Sequence, residues 1–318
     1  MNKVCASGAK AIILAAQSIL LGDYDLVIAG GQESMSNAPY YLPKVRQGLR
    51  MGHGEVVDGI IKDGLWDPYD DVHMGVCAEL CATEHGISRE QQDAHAVASF
   101  ARARAAAAAG HTADEICAVE VPRRGGAPVR VTTDEALAKG GDAASLAKLA
   151  PVFKKGGSVT AGNASGISDG AAALVLCSRA ALDRLGLTPL ARLRGWGEAA
   201  QSPARFTTAP SLAIPIALRS AGLAEQAVDF YELNEAFSVV GRANEKILGL
   251  DAERVNAHGG AVALGHPIGA SGARIVCTLL NVLRVKGARI GVAAICNGGG
   301  GATALVVERL DGKPVSRL

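Results

Sequence analysis

Small and apolar residues recur at helical spacing from Ala6 to Leu21 and stop at Gly22, which predicts a helix closed by a glycine cap. Cys5 then stands at the start of that helix. The apolar run Leu26-Val27-Ile28-Ala29, ending in Gly30-Gly31, predicts a buried strand leading into a loop. From Ser34 to Gly157 the sequence turns mixed and turn-rich, broken by one clear helix from about Glu90 to Ala109 with Ser88 and Gln91 as a capping box. This stretch reads as an insertion. The run Ala171 to Cys177 restores the buried-strand pattern, and a second α/β series starts near Leu190. Its predicted members are a strand at Asp229 to Leu233, a helix after Glu235, a helix from Ser271 to Val285, and strands Ile290 to Ile295 and Thr303 to Val307. The two ends look like variants of one layered α/β unit.

Composition narrows the function classes. The 318 residues, 49% hydrophobic, suffice for two ordinary domains or one large α/β unit with a sizeable core. Acids and bases nearly balance at a net +1, so charge favours neither nucleic acid nor an anionic membrane as partner. Apolar stretches such as Ala171 to Cys177 look too short to cross a bilayer, and Met1 to Cys5 lacks a signal-peptide layout. Seven scattered cysteines argue against a disulfide framework and for a reducing compartment. His73, Cys77, Cys81 and His85 recur every fourth residue, but on a helix the outer pair would lie about 18 Å apart, too far for one metal ion to take all four.

Four islands are rich in reactive side chains, three of them beside glycine: Asn2 to Gly8, Asn234-Glu235-Ala236-Phe237, Gly265 to Gly272, and Cys296-Asn297 followed by Gly298 to Gly301. A helix dipole and free backbone N–H groups favour a thiolate at Cys5, which makes it a candidate nucleophile. His266 can accept its proton, and the glycines around it admit a close substrate. Cys296 ends an apolar strand at the start of a glycine run, so its thiol is expected to face a ligand without steric cover. Singly, each has an ordinary reading as a core cysteine, a core histidine or a turn asparagine. Neither glycine run spells a dinucleotide or phosphate-loop motif, which sets nucleotide hydrolysis aside.

Together and in this order, the islands closely resemble the thiolase family, and the resemblance covers essentially the whole chain. It implies an α/β fold of two similar layered halves: residues 1–180, with a loop domain inserted at about 36–157, then residues 188–311 and a tail at 312–318. The implied reaction is the reversible condensation of two acetyl-CoA to acetoacetyl-CoA and CoA through an acetyl-cysteine. Cys5 would carry the acyl group, His266 would be its base and an oxyanion donor, and Asn234 would hold a water at that oxyanion site. Cys296 would be the acid/base on the second acetyl group, with the Cys5 and Gly298 N–H groups as a second oxyanion site.

The same resemblance places the pantetheine arm of coenzyme A at Thr160 to Gly166, with Ser165 in contact, and a short acyl pocket at Tyr69, His73 and Met74. It implies no tightly bound cofactor, a potassium ion near Tyr69, Ala161, Gly162, Ala164 and Val262, and a homodimer or homotetramer. Ala150 stands where an arginine for the coenzyme phosphates is frequent, leaving Lys139 and Lys148 as nearby charge, and Ser168 replaces the usual asparagine. Family members carry further strand-helix units before the nucleophile, so the first half-sheet is expected to be incomplete and Met1 not to start the fully competent enzyme. Ser316-Arg317-Leu318 is close to the Ser-Lys-Leu peroxisomal address, giving a peroxisomal or cytoplasmic expectation. Two alternatives remain open: a degradative thiolase for longer 3-ketoacyl chains, and a non-catalytic subunit.

Overall fold

A single 3-10 turn at Val4–Ala6 runs into helix α1 (Ser7–Leu21), and Gly22 in the left-handed region closes it with N–H bonds to two carbonyls of the last turn. In this computed structural model the described residues are 1–138 and 140–310. Strand β1 (Leu26–Ser34) pairs antiparallel with β2 (Asp169–Cys177), so segments some 140 residues apart form one two-stranded sheet. Between them lie α2 (Met74–His85), α3 (Arg89–Ala108) and three small strand pairs. The capping box of α3 is as expected, with Ser88 and Gln91 exchanging bonds. Helix α2 is an addition to the single helix expected in this stretch. Cys77 and Cys81 lie on its buried face.

The second sheet has four strands: β3 (Ala191–Ala200), β4 (Phe230–Leu233), β5 (Ile290–Asn297) and β6 (Gly301–Arg309), in the order β4-β5-β6-β3. The β4 and β5 strands are parallel and the other two pairings antiparallel. Alternation along β5 sends Val292 and Ala294 to one core and Ala293 and Ile295 to another. The first core is covered by helix α4 (Pro210–Ala221), which presses on β3 at Gly197, where an added Cβ would lie 2.5 Å from the Ala217 nitrogen. The second is covered by α1 and by α6 (Ile268–Val285). The α1–α6 layer also receives Val27, Ala29, Ala172 and Leu174 of the first sheet, and so lies between two sheets. Helix α5 (Ser238–Leu248) packs against α2 and α3.

Two expectations change here. Val4–Leu21 and Ile268–Val285 are each long and apolar enough to cross a bilayer, although no such stretch was expected. Both contribute apolar residues to the core between the two sheets, but Val4–Leu21 is 39% buried and exposes Leu14, Leu20 and Leu21, whereas Ile268–Val285 is 67% buried. The strands expected to be buried at Leu26 to Ala29 and Ala171 to Cys177 are covered on one face only: their sheet has two strands among the described residues, against four in the second, and its outer face exposes Ile28 and Val175 opposite each other. The tail from residue 312, with Ser316-Arg317-Leu318, lies outside the described residues, as does Lys139.

Candidate active site

Glycine contact between α1 and α6 brings two of the islands together. A Cβ on Gly8 would lie 2.6 Å from the Ala273 nitrogen, and one on Gly272 would lie 2.5 Å from the Ala9 nitrogen. Backbones that approach so closely carry the Cys5 turn to the helix that follows His266. The β5–β6 hairpin supplies the opposite wall. The backbone N–H groups of Gly298 and of Cys5 itself favour the Cys5 thiolate. Cys296 is close enough for the Cys5 charge to act on its thiol.

His266 is buried and held at both ring nitrogens. Its Nδ1 lies 2.6 Å from the Ser271 hydroxyl and its Nε2 lies 3.4 Å from Asn234 Nδ2. Ser271 donates its one proton to the Pro267 carbonyl at 2.9 Å. It must therefore accept from His266 Nδ1–H, which leaves Nε2 as the basic nitrogen. Burial, with the Arg274 charge acting in the same sense, pushes the imidazole down to about 3. At neutral pH the ring is uncharged and free to accept a proton.

The thiols move the other way from the sequence-based expectation. Burial pushes Cys5 up to about 12, against the pull of the Gly298 and Cys5 N–H groups, and the Glu33 carboxylate adds to the rise. The turn does offer donors, but exclusion of water outweighs them. Cys296 is raised further, mainly by burial, and is 1% exposed in a core with Met74, Phe206 and Phe237. It was expected to stand uncovered. The resting centre is thus a neutral thiol pair beside a neutral imidazole.

Asn234 is buried beside His266, and its Oδ1 has no hydrogen-bond partner. The next residue, Glu235, was not singled out from the sequence. Its carboxylate receives His95 Nε2 at 3.1 Å, Ser99 Oγ at 2.8 Å, Asn256 Nδ2 at 2.7 Å and the Val262 N–H at 3.1 Å. Burial opposes its charge, yet His95 and these donors hold it down at about 2. Glu235 thereby ties the Asn234 loop to α3. Its partners come from three distant stretches of chain, so no local spacing could reveal them.

The expected ligand residues fall in different settings. Ser165 donates its hydroxyl to the Ala236 carbonyl at 2.9 Å, beside the Asn234 loop. Met74 is buried with its methyl against Gly298, where a Cβ would meet it at 2.8 Å. His73 caps α2 by accepting from the Gly75 N–H at 2.9 Å and stacks on Phe153. Tyr69 is 77% exposed, away from a buried pocket role. Of the potassium set, Ala164 bridges to Phe237 and Val262 donates to Glu235, while Ala161 is exposed.

Two family models match this chain: the thiolase N-terminal domain over residues 1–180 and the thiolase C-terminal domain over residues 187–309. The chain belongs to the thiolase family. Within it, the chain is 60% identical over 317 residues to acetyl-CoA acetyltransferase 1 of Arabidopsis thaliana, covering 99% of this chain and 76% of the relative. It is 57% identical over 310 residues to the acetyl-CoA acetyltransferase of Schizosaccharomyces pombe, covering 98% and 78%. Its fold matches the crystal structure of the Bacillus anthracis acetyl-CoA acetyltransferase with a TM-score of 0.94 at 40% identity, covering 98% of this chain and 78% of that one. It matches a thiolase of Ascaris suum in complex with coenzyme A with a TM-score of 0.91 at 44% identity, over the same shares.

Proposed function

We propose that this chain catalyses acetyl transfer between coenzyme A thioesters, joining two acetyl-CoA into acetoacetyl-CoA and CoA and running the same steps in reverse. The observation that carries this reading is the close α1–α6 contact that brings Cys5, whose thiolate two backbone N–H groups favour, toward His266, an imidazole whose Nδ1 proton is engaged and whose Nε2 is left as its basic nitrogen.

Cys5 Sγ attacks the acetyl carbonyl carbon while its proton passes to His266 Nε2. The departing coenzyme sulfur takes the proton of Cys296, which becomes a thiolate. That thiolate removes a proton from the methyl of a second acetyl-CoA, and the carbanion attacks the acetyl-Cys5 carbonyl. The Cys5 sulfur leaves and recovers its proton from His266. One C–H bond is lost and one S–H bond gained, so the cycle closes on the starting enzyme. The Cys5 and Gly298 N–H groups stabilise one oxyanion, and His266 with an Asn234-held water stabilises the other.

Coenzyme A enters as substrate, with Ser165 beside its pantetheine arm and Met74 limiting the acyl chain against Gly298. A potassium ion near Ala164 and Val262 would sit beside the ionised Glu235 segment, as would suit a monovalent cation. The resemblance also supports a homodimer or homotetramer, and the terminal Ser316-Arg317-Leu318 supports peroxisomal import. The decisive experiment incubates purified protein with acetyl-CoA, maps the acetyl group by peptide mass spectrometry and measures acetoacetyl-CoA. Acetyl on Cys5 with acetoacetyl-CoA formation is expected. Acetylation confined to other cysteines would overturn the reading.

A further inference from the structure

The turn that carries Cys5 is moored by charge to the far sheet. Lys3, two residues before the nucleophile, donates its ammonium to Glu198 of β3 and, at 3.0 Å, to the hydroxyl of buried Thr303 on β6. Lys10, in the first turns of α1, reaches the other Glu198 oxygen at 2.6 Å. Glu198 and Thr303 are register partners across the β3–β6 ladder, so their positions are set by the sheet. One carboxylate thus grips the chain on both sides of Cys5.

The segment it holds needs holding. Val4 has φ +50°, a left-handed conformation that a β-branched residue rarely adopts. Inside the turn, the Lys3 N–H donates to Ser7 Oγ at 2.8 Å and Ser7 donates to the Val4 carbonyl at 2.6 Å. Those bonds shape the turn but tie it to nothing beyond α1. Among the described residues, the side-chain hydrogen bonds from this turn to the sheet whose β5–β6 hairpin presents Cys296 and Gly298 are those of Lys3 to Glu198 and to its register partner Thr303. Burial opposes the charge on Glu198, and the two lysines outweigh it, leaving the carboxyl below its ordinary value.

We propose that Glu198 is a positioning residue for acyl transfer: through Lys3 and Lys10 it fixes the strained turn at Val4 so that the Cys5 sulfur and N–H face the Gly298 N–H. This rests on the thiolase reading of the site. Glu198 itself touches neither substrate nor the reacting atoms. Neutral Gln in its place keeps size but offers one uncharged acceptor to two ammonium groups, so the charge that grips the turn on both sides is lost and Lys3 is left with Thr303.

The test compares the unchanged protein with Glu198→Gln, Lys3→Met and their combination. Acetylation of Cys5 by acetyl-CoA is followed by rapid quench, and hydrogen exchange is read on the peptide spanning residues 1–8. Each single variant is expected to acetylate about 10- to 100-fold more slowly with KM changed less than about twofold, because misplacement acts on the transition state. Exchange should rise in the Cys5 peptide and stay constant in the β5–β6 hairpin. The double variant should lose less than the product of the two single losses, since both substitutions break the shared Lys3–Glu198 contact. Conservative Glu198→Asp should recover part of the rate. Acetylation at the unchanged rate in Glu198→Gln, multiplying losses in the double variant, or exchange rising across the whole chain would each overturn the proposal. If the unchanged protein is not acetylated, the thiolase reading fails, and exchange confined to the Cys5 peptide still decides the mooring.

Discussion

The Ser271 hydroxyl lies 2.6 Å from His266 Nδ1 and spends its own proton on the Pro267 carbonyl, which fixes the ring with its basic nitrogen at Nε2. Ser271→Ala removes the acceptor and lets the tautomers exchange. Acylation of Cys5 is expected to slow by roughly 10- to 100-fold, with melting temperature nearly unchanged and Ser271→Thr partly active. Rapid-quench acylation rates check this. A wild-type rate in a folded Ser271→Ala protein would falsify the assignment of Nε2 as the base.

The two cysteines should separate by step. In the cycle above, Cys5 carries the acyl group and Cys296 moves protons. Cys296→Ser is therefore expected to retain measurable acetylation of Cys5 while losing at least about 100-fold in condensation. Mass spectrometry of Cys5 alongside acetoacetyl-CoA production distinguishes the steps. Equal loss of both in a folded variant counts against the division of roles.

Met74 packs against Gly298 and, in the proposed function, is the residue that limits the acyl chain. Met74→Ala should raise the rate for a five- or six-carbon 3-ketoacyl-CoA relative to acetoacetyl-CoA by about tenfold, within the range that a few methylenes can contribute. The ratio of kcat/KM values is the measurement. An unchanged ratio would mean that another wall limits the chain.

Acid should loosen the Glu235 tie. The folded carboxyl sits at about 2 against an ordinary 4.5, so its contribution to stability is full above 4.5 and is lost as the pH falls toward 2. His95 is shifted up from 6.5, so its contribution is full below that value and is lost as the pH rises through its folded-state value. Both contributions are present together from pH 4.5 to 6.5. Glu235→Gln leaves a buried His95 without its counter-charge and should cost about 3–5 kcal/mol at pH 6, with a further and steeper loss on acidification to pH 4, because burial then holds the imidazole below its ordinary value and the unfolded chain takes up the proton more readily. Urea midpoints at the two pH values decide it. An acid loss as steep as that of the unchanged protein would place the titrating group elsewhere.

Much of the layout was legible because it rests on local patterning. The glycine-capped α1, the capping box of α3, and strands β5 and β6 all follow from spacing along a few turns of chain. Three of the four islands were legible because each keeps its reactive residue beside glycines, several of which stand at close approaches, and Asn234 because it closes an apolar strand. Helix α4 was not, since Pro215 lies inside it and reads as a breaker, while packing on Gly195 and Gly197 of β3 holds it in place. Neither was the protonation of Cys5, because a helix start is visible in sequence and the burial that overrides it is not. Glu198 and Glu235 escaped for a third reason: their charged partners, Lys3, Lys10 and His95, lie more than 100 residues away.

The sandwiching of α1 and α6 between two sheets has a cost outside the folded state. Each helix contributes apolar residues to the core between those sheets, and each is long and greasy enough for a translocon to accept as a membrane anchor. A signal peptide fused to this chain would thread both segments, unfolded, past the lateral gate. Stop-transfer at one or both is the expected outcome, leaving the two halves of the active site on opposite sides of a bilayer or lodged within it. The packing that joins Cys5 to His266 makes the chain a poor passenger for export by threading.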